Sequence, residues 1–202
     1  INTLFGTNPT QLTKLTILKG TIGLSACANL SNLTELIISD SVTEIGSGAF
    51  KGCNSLVNIT LPFVGKALTA NKNKAVFGYI FGSTVYKYLG SNSSDRGFIN
   101  ESNFTAYNEF IDTRYGSTPE GTTWQWSNTW NNNLTYGYSA YYYIPTTIKN
   151  VTITLQDNVP VAAFKNCSFI EKITLTTTYE SAGDYAFDNC SAEVSYTHEP
   201  TK

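Results

Sequence analysis

The sequence has no methionine, one histidine and few charged residues, with Asp, Glu, Lys and Arg making up 14% of 202 positions. Each scarcity removes a class of function. The 13 Lys and Arg are scattered against 15 Asp and Glu for a net charge of −2, so no basic stripe exists to neutralise phosphates. Nucleic acid and anionic membrane surfaces are therefore not expected partners. No apolar run approaches the roughly 18 residues of a spanning helix, so no membrane insertion is expected either. His198 stands beyond the regular part of the chain, where a Cys and His nucleophilic pair would have to bring it beside a buried cysteine. One histidine and isolated cysteines give none of the close CxxC or HxxxH spacings of a zinc site, and no metal or cofactor is expected. The missing methionine and the start at Ile1 read as a piece excised from a longer protein.

What is present is a repeat. Ile22, Gly23, Ala26, Cys27 and Leu30 align on Ile45, Gly46, Ala49, Phe50 and Cys53, then on Val159, Pro160, Ala163, Phe164 and Cys167, and last on Ala182, Gly183, Ala186, Phe187 and Cys190. The offset is 23 residues within the first pair of copies and again within the last pair, a period that marks a solenoid. Each copy continues into a strand: Leu56, Ile59 and Leu61 in the second, with matching residues at Leu12, Leu15, Ile17, at Leu33, Leu36, Ile38, at Ile148, Val151, Ile153 and at Ile170, Ile173, Leu175. Residues two apart share a strand face, so Ile59 and Leu61 point inward while Asn58 and Thr60 point out. Stacked strands of this kind make a parallel sheet. The glycine turn and the Ala-Phe pair after it read as a short helical or 3-10 turn on the opposite wall, with Phe50 plugging the interior. One coil cannot bury its own apolar side, so several must stack before any is stable.

The cysteines follow the repeat. Cys53, Cys167 and Cys190 share a slot that Leu30 fills in the first copy, and Cys27 takes the slot of Phe50. They are expected to behave as small buried hydrophobes with free thiols; a bridge between Cys167 and Cys190 on successive coils is sterically possible but disfavoured by their parallel side chains. Asn166 and Asn189, beside that slot, read as turn residues that tolerate unusual backbone angles.

The period is broken once, between Leu61 and Ile153, where about 69 residues lie beyond the length of one coil. The organisation expected is N-terminal coils over 1–61, an inserted segment over 62–147, C-terminal coils over 148–196 and a tail or linker over 197–202. From Gly121 to Ile148 the insertion has no charged residue, while Trp and Tyr crowd in among Asn, Ser and Thr. Trp124, Trp126, Trp130, Tyr138 and Tyr141 are the candidate ligand-binding residues, because flat apolar rings with polar edges suit stacking on sugars or burial in a partner protein. The same rings could instead form the insertion's own small core. Phe5 and Gly6 match Phe81 and Gly82, and the run from Pro9 matches that from Pro145, so the chain is expected to begin inside the tail of an earlier decorated coil. After Cys190, Glu193 falls where Leu56 would be, and the regular pattern is expected to dissolve there.

The spacing IGxxAFxxCxxLxxIxLP over 45–62 resembles the BspA-like class of leucine-rich repeats of bacterial surface proteins, a likeness that covers about 9–61 and 146–190. LPFVG at 61–65, FGYIFG at 77–82 and YIP at 143–145 resemble a decorated repeat of the same proteins. The resemblance implies an α/β solenoid with a parallel sheet on its concave side, export to the cell surface or medium, and a non-enzymatic role in adhesion to host or matrix proteins or glycans. Cys27 in the Phe slot, Pro160 in the Gly slot and the long insertion depart from that pattern. Two other readings stay open: a structural spacer, and a carbohydrate-active enzyme in the insertion using carboxylates among Asp95, Glu101, Glu109, Asp112 and Glu120.

Overall fold

An apolar residue at every second position, flanked by polar ones, makes a strand that is buried on one face only. In the computed structural model, which describes residues 11–71, 74–89, 125–127 and 136–198, six such strands lie side by side. They are β1 (Lys14–Ile17), β3 (Glu35–Ile38), β5 (Asn58–Leu61), β9 (Asn150–Ile153), β11 (Lys172–Thr178) and β13 (Glu193–His198), in that order, and every neighbouring pair is parallel. The register aligns Leu15, Leu36, Ile59, Val151, Ile173 and Val194 in one column. From Leu36 to Ile173 that column is almost completely buried. Each such side chain contributes roughly 1.5–3 kcal/mol relative to exposure, but only if a neighbouring coil covers it.

The opposite wall carries two short parallel pairs, β2 (Gly20–Ile22) with β4 (Val42–Ile45) and β10 (Asn158–Val159) with β12 (Ser181–Ala182). After each of these strands comes a turn, at 24–29, 47–52, 161–166 and 184–189, and this is where the structure departs from the expected helical or 3-10 turn. Every turn has two residues with positive φ: Ser25 and Asn29, Gly48 and Gly52, Ala162 and Asn166, Tyr185 and Asn189. A left-handed residue at every fourth position interrupts helical winding. The backbone N–H groups then alternate between two destinations. Ala26 and Ala28 donate back to Gly23 and Ser25 within the turn, whereas Ser25, Cys27 and Asn29 donate forward to the carbonyls of Ser47, Ala49 and Lys51 on the next coil. Asn166 and Asn189 do occupy the strained positions, with φ of 62° and 51°.

The third coil is built from both ends of the interrupting stretch. β5 pairs directly with β9 although Leu61 and Ile153 are partners in the register. Phe63, Val64, Val76, Phe77, Ile80, Phe81, Tyr142 and Ile144 all lie in the same core as the repeats. A 3-10 helix, Phe77–Phe81, takes the place of the turn: Gly48 and Phe50 donate to the carbonyls of Tyr79 and Ile80, and Phe77 donates onward to Ala163. Buried Gln156 accepts from the Val64 N–H at 2.8 Å, tying this coil to the next. The chain leaves after Gly82 and returns at Tyr143, whose N–H donates to the Gly82 carbonyl at 3.1 Å. Above that neck stands an antiparallel sheet of β6 (Ser83–Leu89), β8 (Tyr136–Tyr142) and β7 (Gln125–Ser127), with β8 in the middle.

The expectation that the pattern dissolves after Cys190 is overturned. β13 pairs with β11 in the ordinary register, Glu193 opposite Lys172 and Val194 opposite Ile173. The final coil is two residues shorter between turn and strand than a 23-residue spacing requires, so Glu193 occupies an outward position and Val194 the inward one. Half-buried Ala192 takes up the place before the strand.

All four cysteines are free; Cys27, Cys53 and Cys167 are buried and Cys190 is half-buried. The Cys53 thiol donates to the Cys27 carbonyl at 3.3 Å. Burial pushes the Cys27 thiol up to about 12 and the Cys53 thiol up to about 11. In the unfolded chain they ionise near about 8.5, so the folded state holds its thiol protons to higher pH. Their stabilising contribution is complete below about pH 8.5 and declines as pH rises toward their folded values, by at most ~1.4 kcal/mol per pH unit for each thiol. Urea denaturation at neutral and at strongly alkaline pH should show a lower midpoint at the alkaline end, and a Cys27→Ala, Cys53→Ala variant should show a smaller drop. A thiol reagent should modify Cys190 first in the native protein.

Candidate binding surface

Because the six strands are parallel and in register, the outward residues stack as ranks at a spacing of about 4.8 Å. The first rank is Lys14, Glu35, Asn58, Asn150, Lys172 and Glu193. The second is Thr16, Ile37, Thr60, Thr152, Thr174 and Ser195. Neighbours within a rank order one another. Lys14 pairs with Glu35 at 3.0 Å, Asn150 donates through Nδ2 to Asn58 Oδ1 at 2.8 Å, and the Ser195 hydroxyl donates to Thr174 Oγ1 at 3.3 Å. A row of amides and hydroxyls held by its own lateral bonds presents hydrogen-bonding groups with little side-chain entropy left to lose.

Sequence reasoning placed Asn58 and Thr60 outward but did not treat this face as a site. The signal was there: each inward apolar residue of the strands is preceded by a polar or charged one, in every repeat except at Ile37.

The aromatic candidates fall elsewhere. Trp124 and Trp130 lie outside the described residues, as do Asp95, Glu101, Glu109, Asp112 and Glu120. Trp126 is the middle residue of β7, opposite Gly137 of β8, while Tyr138 of β8 stands between Gln125 of β7 and Lys87 of β6, and Tyr141 pairs with Thr84. The structure thus brings Trp126, Tyr138 and Tyr141 onto one small sheet. Tyr142, the last residue of β8, turns into the solenoid core, and burial raises its hydroxyl well above the usual range.

Chemistry is sparse on the described part of the molecule. Three of the four thiols are shut in the core and stay protonated at neutral pH, and His198 ends the edge strand opposite Thr178. No three His, Cys, Asp or Glu side chains among the described residues gather where they could hold a metal. No helix among them is long and apolar enough to cross a membrane.

A parallel sheet of one strand per coil, backed by apolar columns and a wall of turns, defines a leucine-rich-repeat solenoid. The family model for the BspA type leucine rich repeat region matches in six copies over residues 10–77 and 128–199. The chain belongs to that family. No curated protein and no solved structure matches it.

Proposed function

We propose that this chain is a non-enzymatic, extracellular binding or adhesion module that engages a host or matrix protein, or a glycan, through the open face of its parallel sheet. The observation that carries this reading is the pair of outward ranks across six coils, polar except at Ile37 and tied laterally at Lys14–Glu35, Asn58–Asn150 and Thr174–Ser195. Surfaces arrayed across repeats bind through many modest contacts at once, and rigid, pre-ordered groups lower the entropic cost of doing so. Membership of a repeat family of bacterial surface proteins supports the location and the role. Trp126, Tyr138 and Tyr141, together with Trp124 and Trp130, are proposed as a second contact region, where rings would stack on sugars or bury in a protein.

The test is a screen of the purified chain against a glycan array and a panel of matrix proteins. It would run beside a Asn58→Lys, Asn150→Lys, Thr152→Lys variant and a Trp124→Ala, Trp126→Ala, Trp130→Ala variant, each checked for folding. Three lysines in adjacent ranks should lower affinity by tenfold or more for a ligand seated on the sheet, since like charges and lost amide contacts act together. Loss confined to the tryptophan variant would move the site to the aromatic segment. A chain that binds nothing on either panel favours the structural spacer.

A further inference from the structure

The middle of the polar sheet face is uncharged, and we infer that its ligand is a neutral glycan chain laid across the strands, held by Asn58, Thr60, Asn150 and Thr152. This rests on the sheet being the binding face, as proposed above, and narrows the ligand to one class. Two triplets of one form, Asn58-Ile59-Thr60 and Asn150-Val151-Thr152, lie 92 residues apart in the chain and side by side in the sheet. Ile59 and Val151 are buried beneath, while Asn58 and Asn150 are exposed and Thr60 and Thr152 half-buried. Coils flank this tile on both sides, and the excursion that interrupts the repeat leaves from the turn wall, where Gly82 lies against Gly48.

The tile's groups both donate and accept. The Asn150 amide donates to Asn58 Oδ1 at 2.8 Å, a bond that uses one N–H of Asn150 and one lone pair of Asn58 and orders both side chains. Each amide keeps a donor and an acceptor to spare, and each threonine hydroxyl can act as either. The hydroxyls of a sugar also donate and accept, whereas a carboxylate, sulfate or phosphate only accepts and calls for a cation. A chain of sugars crossing the strands meets the same pairing of amide and hydroxyl again after about 4.8 Å.

Charge and composition argue against the other classes. Along the first rank each cation is followed by an acid on the next coil, Lys14 by Glu35 at 3.0 Å and Lys172 by Glu193 in register. Lys149, just before β9, is likewise paired with Glu171 at 3.1 Å. The two ranks therefore present no net field to draw in a polyanion or a polycation. Protein interfaces centre on buried Trp, Tyr and Arg, and the ranks contain none of these, with Ile37 their one apolar side chain. Such a surface offers a protein partner little apolar area to cover.

The test is calorimetric titration of the whole chain with three sets of probes: neutral oligomers of glucose, galactose, mannose and N-acetylglucosamine, sulfated oligosaccharides of the same lengths, and deglycosylated matrix proteins. Beside the wild type runs Asn58→Thr, Asn150→Thr, which keeps strand-forming residues and removes both amides. Neutral oligomers should bind, more tightly as they lengthen, and a tenfold rise in salt should change their affinity by less than about twofold. The double variant should melt like the wild type and bind them about tenfold more weakly, as the loss of two hydrogen bonds requires. Thr152→Val, which exchanges a hydroxyl for a methyl, serves in its place if the double variant melts lower. Sulfated probes or matrix proteins bound in place of neutral oligomers, and weakened by the variant, would overturn the glycan while keeping the sheet as the site. Neutral oligomers bound equally by the variant would overturn it by moving the site off the tile. A chain that binds nothing in any set would overturn both this inference and the reading beneath it.

Discussion

Gly46→Ala should destabilise the protein by about 3 kcal/mol, while Gly23→Ala, in the same slot of the preceding coil, should cost under about 1 kcal/mol. The added methyl at Gly46 would overlap the Leu24 nitrogen at 2.5 Å and the Gly23 carbonyl carbon at 2.6 Å. Both are backbone atoms in a wall that cannot rotate away as a side chain could. The Gly46 N–H also donates to the Ile22 carbonyl at 2.7 Å, so separating the coils to make room would break that bond and its neighbours. At Gly23 the methyl meets nothing among the described residues. Neither position has positive φ, so the contrast isolates coil-to-coil packing from backbone strain. Chemical denaturation of the two variants in dilute solution checks it; equal losses would show that the slot demands glycine for conformational reasons instead.

Phe164→Ala should cost about 4 kcal/mol, among the largest effects available from one side chain. Phe164 is fully buried and joins the aromatic column across three coils, its ring centroid 5.3 Å from that of Phe77 and 5.8 Å from that of Phe187. Its removal leaves a ring-sized void between the coil built from 62–82 and 142–149 and the two coils after it. The surroundings are poorly able to collapse into it, since the N–H groups of Phe77 and Phe164 fix the wall on both sides. Phe187→Ala, on the half-buried end of the column, should cost about half as much. Thermal or urea melts of the two variants would show the ordering, and equal losses would mean that the column does not act as a stack.

The repeat made most of this fold readable, because one residue type recurs wherever one environment recurs. Leu36, Ile59, Val151 and Ile173 were assigned inward from spacing alone and are buried. The turn wall was harder. Helical and alternating left-handed turns both place Ala49 and Phe50 inside, so the apolar pattern does not separate them; the clue was the asparagine or glycine at positions 29, 52, 166 and 189, which tolerate positive φ. The last strand was misjudged because the 23-residue spacing holds between turns but not between strands. Leu15 to Leu36 and Ile173 to Val194 are both separated by fewer residues, a slack taken up where the chain crosses from turn to sheet. The candidate site was legible in its residues but not as a surface, since a rank of Asn and Thr gains meaning only once the strands are known to be in register.

The neck between Gly82 and Tyr143 has a consequence for how such a molecule changes over generations. The excursion departs and returns at two residues already hydrogen-bonded to each other, so the solenoid experiences it as a closed stem. Doubling the length of a flexible loop between fixed ends costs only about 0.6 kcal/mol. Apart from Tyr142, which is part of the core, whatever hangs from that stem can be lengthened, exchanged or deleted with little effect on the coils beneath, which makes the third coil a socket where variation can accumulate without disturbing the scaffold, and a natural place to graft a foreign domain.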